Sequence, residues 1–212
     1  QYSANAERDQ ALDAAGDMET FLHQLNMIVE YGPVTPIQLA RATQLITKTN
    51  QFNTTTIRRT EPEMQALAAD DRSLILQFRL TDKFGDNGLV SVLVATPHES
   101  EPHALKIDSW VMSCRVFGRQ LEDEAMNILV EAAGARGVAA IHADYAPTAK
   151  NAVVKDLYSK LGFQPVAAPA DDGSSRWVLR TSAYAPRPTQ TSRTPDSQAG
   201  PGHSRHAHLH SA

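Results

Sequence analysis

Residues 106–136 read KIDSWVMSCRVFGRQLEDEAMNILVEAAGAR. The stretch opens as a strand over residues 106–113, with Trp110 and Met112 on one side. It closes as a helix, where Leu121, Ala125, Ile128, Leu129 and Ala132 recur at helical spacing. Between them lies Arg115-Val116-Phe117-Gly118-Arg119-Gln120. A strand, a short turn carrying a glycine and two arginines, and a helix N-terminus together make a place to hold pyrophosphate. The free N–H groups of the first helical turn and the helix dipole favour an anion there, and Gly118 lets the backbone approach it closely. On these six residues alone, an ordinary strand-to-helix turn with two solvated arginines accounts for the pattern equally well.

Working outward, residues 73–80 alternate Leu74, Leu76, Phe78 and Leu80, and residues 89–96 read as the return strand. Between them DKFGDNG (82–88) contains Asn87-Gly88, a strong hairpin-turn signal. Three strands therefore meander into the anion-binding turn. Downstream come a short strand (138–143), a loop (147–151) and a helix (152–160) ended by Gly162. A closing hairpin follows, 163–166 with 176–179. Nearer the N-terminus, Asp17 caps a helix over 18–25 and residues 27–31 form a strand that Gly32-Pro33 breaks. Thr35-Pro36 opens a helix over 36–48, and Thr60 with Glu63 forms a capping box for a helix through Ala69. Asn50-Gln51-Phe52-Asn53-Thr54-Thr55-Thr56 is a dense polar loop with two readings: a turn whose side chains bond local backbone, or a substrate-facing loop. Arg58 and Arg59 read as a solvated pair.

The chain has 212 residues, 42% of them apolar, and a formal charge of −4. That length builds one domain with a real core, and the acidic balance argues against a nucleic-acid surface. No run of about 20 apolar residues exists to span a membrane, and no secretory pattern opens the sequence. The single cysteine, Cys114, excludes an internal disulfide and fits a reducing cytoplasm. No metal-ligand spacing occurs in the part expected to fold. Residues 1–17 read as a linker from a missing upstream domain, 18–182 as the folded domain, and 183–212 as a disordered tail of Pro, Ser, Thr, Gln and Gly. The tail holds His203, His206, His208 and His210, which read as structureless rather than as a metal site.

The element order and the turn at 115–120 resemble the GCN5-related N-acetyltransferase (GNAT) family, an α/β (α+β) fold with a mixed central sheet flanked by helices. In that family Arg/Gln-x-x-Gly-x-Gly/Ala binds the pyrophosphate of coenzyme A. Arg115, Gly118 and Arg119 match the turn, Val116 lies within it, and Gln120 departs from the final small residue. The ending Leu157-Tyr158-Ser159-Lys160-Leu161-Gly162-Phe163 is similar to the family's Tyr-x-x-x-Gly-Phe. The strings TNQFNTTT (49–56), RLTDKFGDNGLVSV (79–92), DSWVMSCRVFGR (108–119) and PTAKN…LYSKLGF (147–163) resemble, more closely, the C-terminal half of FkbH-like proteins. Those proteins join a HAD-type phosphatase domain to a GNAT-like domain and load a three-carbon unit onto an acyl carrier protein in polyketide pathways. The HAD signature Asp-x-Asp-x-Thr/Val is absent, so the phosphatase half is expected on another segment or chain.

The resemblance implies that Asn151 bonds a pantetheine arm, that Tyr158 protonates the departing thiolate, and that the cofactor is a coenzyme A thioester or a carrier protein's phosphopantetheine, without a metal. An acyl carrier protein and a HAD-type phosphatase are the implied partners. From the residues themselves, Tyr158 is either this donor or a half-buried helix tyrosine. Cys114 stands beside an arginine and ahead of a helix, which favours thiolate; it is either an acyl-accepting nucleophile or a buried small apolar residue. Alternation places Asp108, Trp110, Met112 and Cys114 on one face, with Asp108 a base or a structural carboxylate and His142 a more distant base. Lys150 and Lys155 either meet a carrier's acidic surface or are simply solvated. Two other functions stay open: an acetyl-CoA-dependent N-acetyltransferase, and a non-catalytic module that docks the pantetheine arm.

Overall fold

In the computed structural model, which describes residues 2–196, the chain begins with α1 (Tyr2–Ala15), α2 (Met18–Gln24), β1 (Met27–Pro33), α3 (Leu39–Lys48), β2 (Phe52–Asn53) and α4 (Glu61–Ala69). The meander follows as β3 (Leu74–Asp82), β4 (Gly85–Pro97) and β5 (Ala104–Met112), and then α5 (Leu121–Ala135), β6 (Ala140–Tyr145) and α6 (Leu157–Lys160). The last elements are β7 (Gln164–Pro165), β8 (Ser175–Arg180) and β9 (Thr191–Pro195). The histidine-bearing residues 197–212 lie outside the described part. Among the described residues no helix is long and apolar enough to cross a membrane.

The strands form one sheet in the order β7-β8-β6-β5-β4-β3-β1-β9, with β2 paired on β5. Two pairings are parallel, β5 with β6 and β1 with β9; the others are antiparallel. Alternation decides the layers. Leu74, Leu76, Phe78 and Leu80 of β3 pack with Phe21 and Leu22 of α2, Leu121 and Ile128 of α5 and Leu157 of α6. Ile75, Val92, Val94 and Val111 point the other way, onto Leu39, Ala42 and Ile46 of α3 and Met64 of α4. The sheet is therefore covered on both faces, as a mixed sheet with apolar residues on both sides requires.

β5 and β6 pair only over residues 104–107, and beyond that they part. The gap is filled by β2, whose Phe52 and Asn53 pair with Met112 and Val111. A backbone N–H of Thr54 reaches Trp110 O at 3.4 Å, and Thr54 O accepts from the N–H of Ala146 just past β6. The expected polar loop is thus a strand wedged into the split of the sheet.

Four expectations need correcting. The β3–β4 turn is Lys83-Phe84, with Asp82 opposite Gly85, because the buried Asp82 carboxylate accepts the Phe84 N–H at 2.9 Å. Asn87-Gly88 forms instead the irregularity between Thr81↔Asp86 and Arg79↔Leu89, with Gly88 at φ +71°. β1 runs on through Gly32-Pro33. The helix expected over 152–160 is a single tight turn at Ala152–Val154 followed by α6. Finally, residues outside 18–182 take part in the fold: the segment expected as a helical linker is helical over 2–15 but places Arg8 on the buried Asp82, and β9, within the segment expected as a tail, adds a strand beside β1.

Candidate functional site

The turn after β5 begins with one tight turn, Cys114–Val116, and Gly118 takes φ +72° and Gln120 φ +59° before α5 starts. A side chain at Gly118 would meet nothing within 4 Å, so open space stands over this backbone, as close ligand approach requires. Gln120 holds a conformation that suits glycine. It is kept there by the strap after β8: its Oε1 accepts the Gln190 N–H at 2.8 Å.

That strap, residues 184–191, lies along α5. Asn127 Oδ1 accepts from Tyr184 Oη at 2.7 Å and from the Arg187 N–H at 2.8 Å, while its Nδ2 donates to Arg187 O. The Arg187 guanidinium pairs with Asp123, and Thr189 donates to Glu124. Between α5 and α6 this leaves a cleft of about 340 Å³, whose wall includes Phe52, Phe117, Gly118, Glu122, Lys160 and Arg187. Its size falls within the range of small-ligand sites. Its charges are mixed. Burial pushes the Glu122 carboxyl above the usual carboxylate range, which favours its neutral form beside the helix N-terminus.

The residues expected at the site are divided by the structure. Arg119 is committed: it donates to Asp82 Oδ2 at 2.9 Å, and Arg8 grips the same carboxylate through both oxygens. Arg115 is exposed and donates to Ser113 Oγ and Asn87 O; Val116 is fully buried. Asn151 is buried, and its amide is used within the protein. Its oxygen accepts the Thr148 N–H at 2.7 Å, and its nitrogen donates to Asn53 O and Ala146 O at 2.9 Å. It pins β2 into the split.

Asp108 is the extra residue where β4 and β5 shift register. A bulge reverses the alternation beyond it, so Leu105 and Ile107 share the core of Trp110 and Met112. The single-face reading of Asp108, Trp110, Met112 and Cys114 therefore fails at Asp108, whose carboxylate pairs with Arg59 at 2.6 Å. That contact also corrects the solvated reading of Arg59. Cys114 is exposed and lines a separate depression with Lys48, Gln51, Lys150 and Met112. The chain passes from that depression to the cleft between Gln51 and Phe52. His142 pairs with Glu101 at 2.7 Å and stands opposite Lys106. Lys106 precedes Cys114 by eight residues, roughly 25 Å of extended chain, so His142 cannot serve as its base.

Tyr158 is fully buried rather than half-buried. Burial pushes its hydroxyl well above the usual phenol range, so it is protonated at any neutral pH. The Thr54 hydroxyl lies beside it and partly offsets that rise, yet neither oxygen makes a hydrogen bond of ordinary geometry. An unbonded buried hydroxyl costs about 1–3 kcal/mol, and most such groups find partners.

Thr54, Glu122 and Arg187 were not singled out from sequence. Thr54 stood inside a quoted motif, Glu122 looked like a first-turn acid, and Arg187 lay in a segment without apolar anchors. Among the described residues no group of His, Cys, Asp and Glu could hold a metal ion.

No family model matches the sequence, and no curated protein matches it. Solved structures do match the fold. The ribosomal-protein-S18-alanine N-acetyltransferase from Escherichia coli superposes with a TM-score of 0.53 at 16% identity, over 74% of this chain and 96% of that one. The GNAT domain of S. lividans PAT gives 0.55 at 13% identity, over 71% and 89%. The spermidine N-acetyltransferase from Vibrio cholerae, in complex with CoA and spermine, gives 0.54 at 11% identity, over 74% and 97%. The split sheet, the turn before α5 and the helix beyond β6 are thus arranged in the fold of the GNAT acetyltransferases.

Proposed function

We propose that this chain transfers an acyl group from a pantetheine thioester, with Tyr158 giving a proton to the departing sulfur. The observation that carries the reading is the adjacency of the cleft at the N-terminus of α5 to a buried, permanently protonated tyrosine with no partner of its own. The backbone over Gly118, the Arg187 guanidinium and the Lys160 ammonium would hold the phosphate end; phosphate binding at such a helix start is common. The apolar walls, Phe52, Phe117 and Leu157, would exclude water from the thioester. Burial makes the Tyr158 hydroxyl a weaker acid but keeps its hydrogen in place at neutral pH, so Tyr158 would hydrogen-bond the sulfur as it gains charge and pass it the proton as the thiolate leaves. The likeness to a CoA-bound spermidine N-acetyltransferase supports coenzyme A as one fitting donor.

The finer form of the proposal is that the thioester sits on an acyl carrier protein and that the acyl unit arrives through a HAD-type phosphatase partner. The four FkbH-like strings support it, and Lys48 and Lys150 beside Cys114 offer cations to an acidic carrier. A second reading, docking without catalysis, is favoured by the commitment of Asn151 and Arg119 to contacts within the protein. Calorimetry with coenzyme A, apo carrier protein and phosphopantetheinylated carrier protein separates these. Tight binding of the phosphopantetheinylated form alone supports the finer reading. Equal binding of free coenzyme A removes the carrier. In the pair reconstituted with a HAD-type partner, transfer that survives both Tyr158→Phe and Cys114→Ala leaves docking as this chain's function.

A further inference from the structure

The polar atoms most in need of explanation are the hydroxyls of Thr54 and Tyr158, buried side by side, each the other's neighbour, with no hydrogen bond of ordinary geometry. The backbone of Thr54 is held from both edges of the split sheet, by Trp110 O on one side and the Ala146 N–H on the other. Asn151 fixes the preceding residue through Asn53 O. Thr54 therefore cannot move toward another partner without unpairing β2. A rigid strand that presents a hydroxyl to a second hydroxyl, and leaves both unbonded, keeps a place for a third polar atom.

That place adjoins the cleft. Phe52, which shares a face of β2 with Thr54 by strand alternation, is part of the cleft wall, and so is Leu157, the residue before Tyr158. We propose that Thr54 is a ligand-binding residue of this site, its hydroxyl acting with that of Tyr158 to hold the sulfur of a pantetheine thiol or thioester whose arm lies in the cleft. The inference rests on the acyl-transfer reading and adds a second donor to it. Two fixed hydroxyl donors in a water-free position suit a sulfur that gains negative charge.

The test is calorimetry on the full chain with coenzyme A and desulfo-coenzyme A, repeated with phosphopantetheine and its desulfo analogue. Wild type is expected to favour the sulfur-bearing ligand by about three- to tenfold, the scale of one neutral hydrogen bond. Thr54→Val should lose most of that preference while keeping its affinity for the desulfo ligand, and Thr54→Ser should retain it. Thr54→Val should also melt no lower than wild type, since it removes an unbonded buried hydroxyl; this separates lost recognition from lost folding. A preference carried equally by phosphopantetheine assigns the arm without the nucleotide. One seen only with coenzyme A assigns the free cofactor. Either result supports Thr54 when Thr54→Val abolishes the preference. If neither ligand binds, the acyl-transfer reading and the role of Thr54 fall together. If coenzyme A binds and Thr54→Val keeps the wild-type preference, only the role of Thr54 is overturned.

Discussion

In the proposed reaction, Tyr158 and Glu122 set function against stability within single residues. The Tyr158 hydroxyl is buried without a partner, so Tyr158→Phe should raise thermal stability, by up to about 1–3 kcal/mol, or roughly 2–4 °C per kcal/mol for a chain of this size. The same variant should lose acyl transfer, and calorimetric melting beside a transfer assay reads both. For Glu122, burial raises the carboxyl's pKa in the folded state. Below the ordinary carboxylate range it is protonated whether folded or unfolded and has no effect; as pH rises through the folded value its charge counts against the fold. Glu122→Gln should therefore melt higher than wild type at pH 7 and match it near pH 4. It should also bind coenzyme A about three- to tenfold more tightly at pH 7, because one negative charge leaves the cleft.

At the level of elements, the central strands were legible and their punctuation was not. Alternating apolar residues identify β3, β4 and β5, and Thr60 with Glu63 does form the expected capping box. Alternation is a local property that burial enforces. The Asn87-Gly88 turn failed because a distant interaction decides it: Arg8 and Arg119 hold Asp82, and Asp82 draws the turn to Lys83-Phe84. Asp108 was misplaced because no residue pattern announces a bulge. The identity of Tyr158 as a site residue came from a motif, but its complete burial depends on β2 and hence on packing no motif encodes. The strap was missed for a similar reason. It is bound by polar groups, chiefly Asn127, Asp123, Glu124 and Gln120, rather than by apolar anchors. Removing residues 184–212 takes away the strap's bonds to α5 and the β9 pairing with β1 together; at about 1 kcal/mol per lost hydrogen bond it should cost more than about 5 kcal/mol, and it should weaken coenzyme A binding by freeing the Gln120 turn. Arg187→Ala alone should reproduce the binding loss with a smaller drop in melting temperature.

Across the whole molecule, one carboxylate joins three distant parts of the chain. Asp82 is inaccessible to solvent and lies between Arg8 of α1 and Arg119 of the turn before α5. Burial alone would raise its pKa, but the Arg8 hydrogen bonds, the Phe84 N–H and the Arg119 charge outweigh it and hold the carboxyl below its usual range. A depressed folded pKa gives stability that is complete above the unfolded value and disappears as pH falls through the folded one. Unfolding followed by circular dichroism should thus set in below about pH 4 and release α1 together with the turn before α5. Asp82→Asn should bring that loss to neutral pH, because it removes the carboxylate that Arg8 and Arg119 share.

The parallel pairing of β1 with β9 has a consequence in time. Met27 meets Thr191 and Tyr31 meets Pro195, so β1 waits for a strand made more than 160 residues later. On a ribosome adding about 5–20 residues per second, β1 keeps one bare edge for roughly 10–30 s, through the completion of every other strand. Contacts of such long sequence separation slow folding, and a nascent chain stalled before residue 191 would carry an open strand edge to any neighbour able to pair with it.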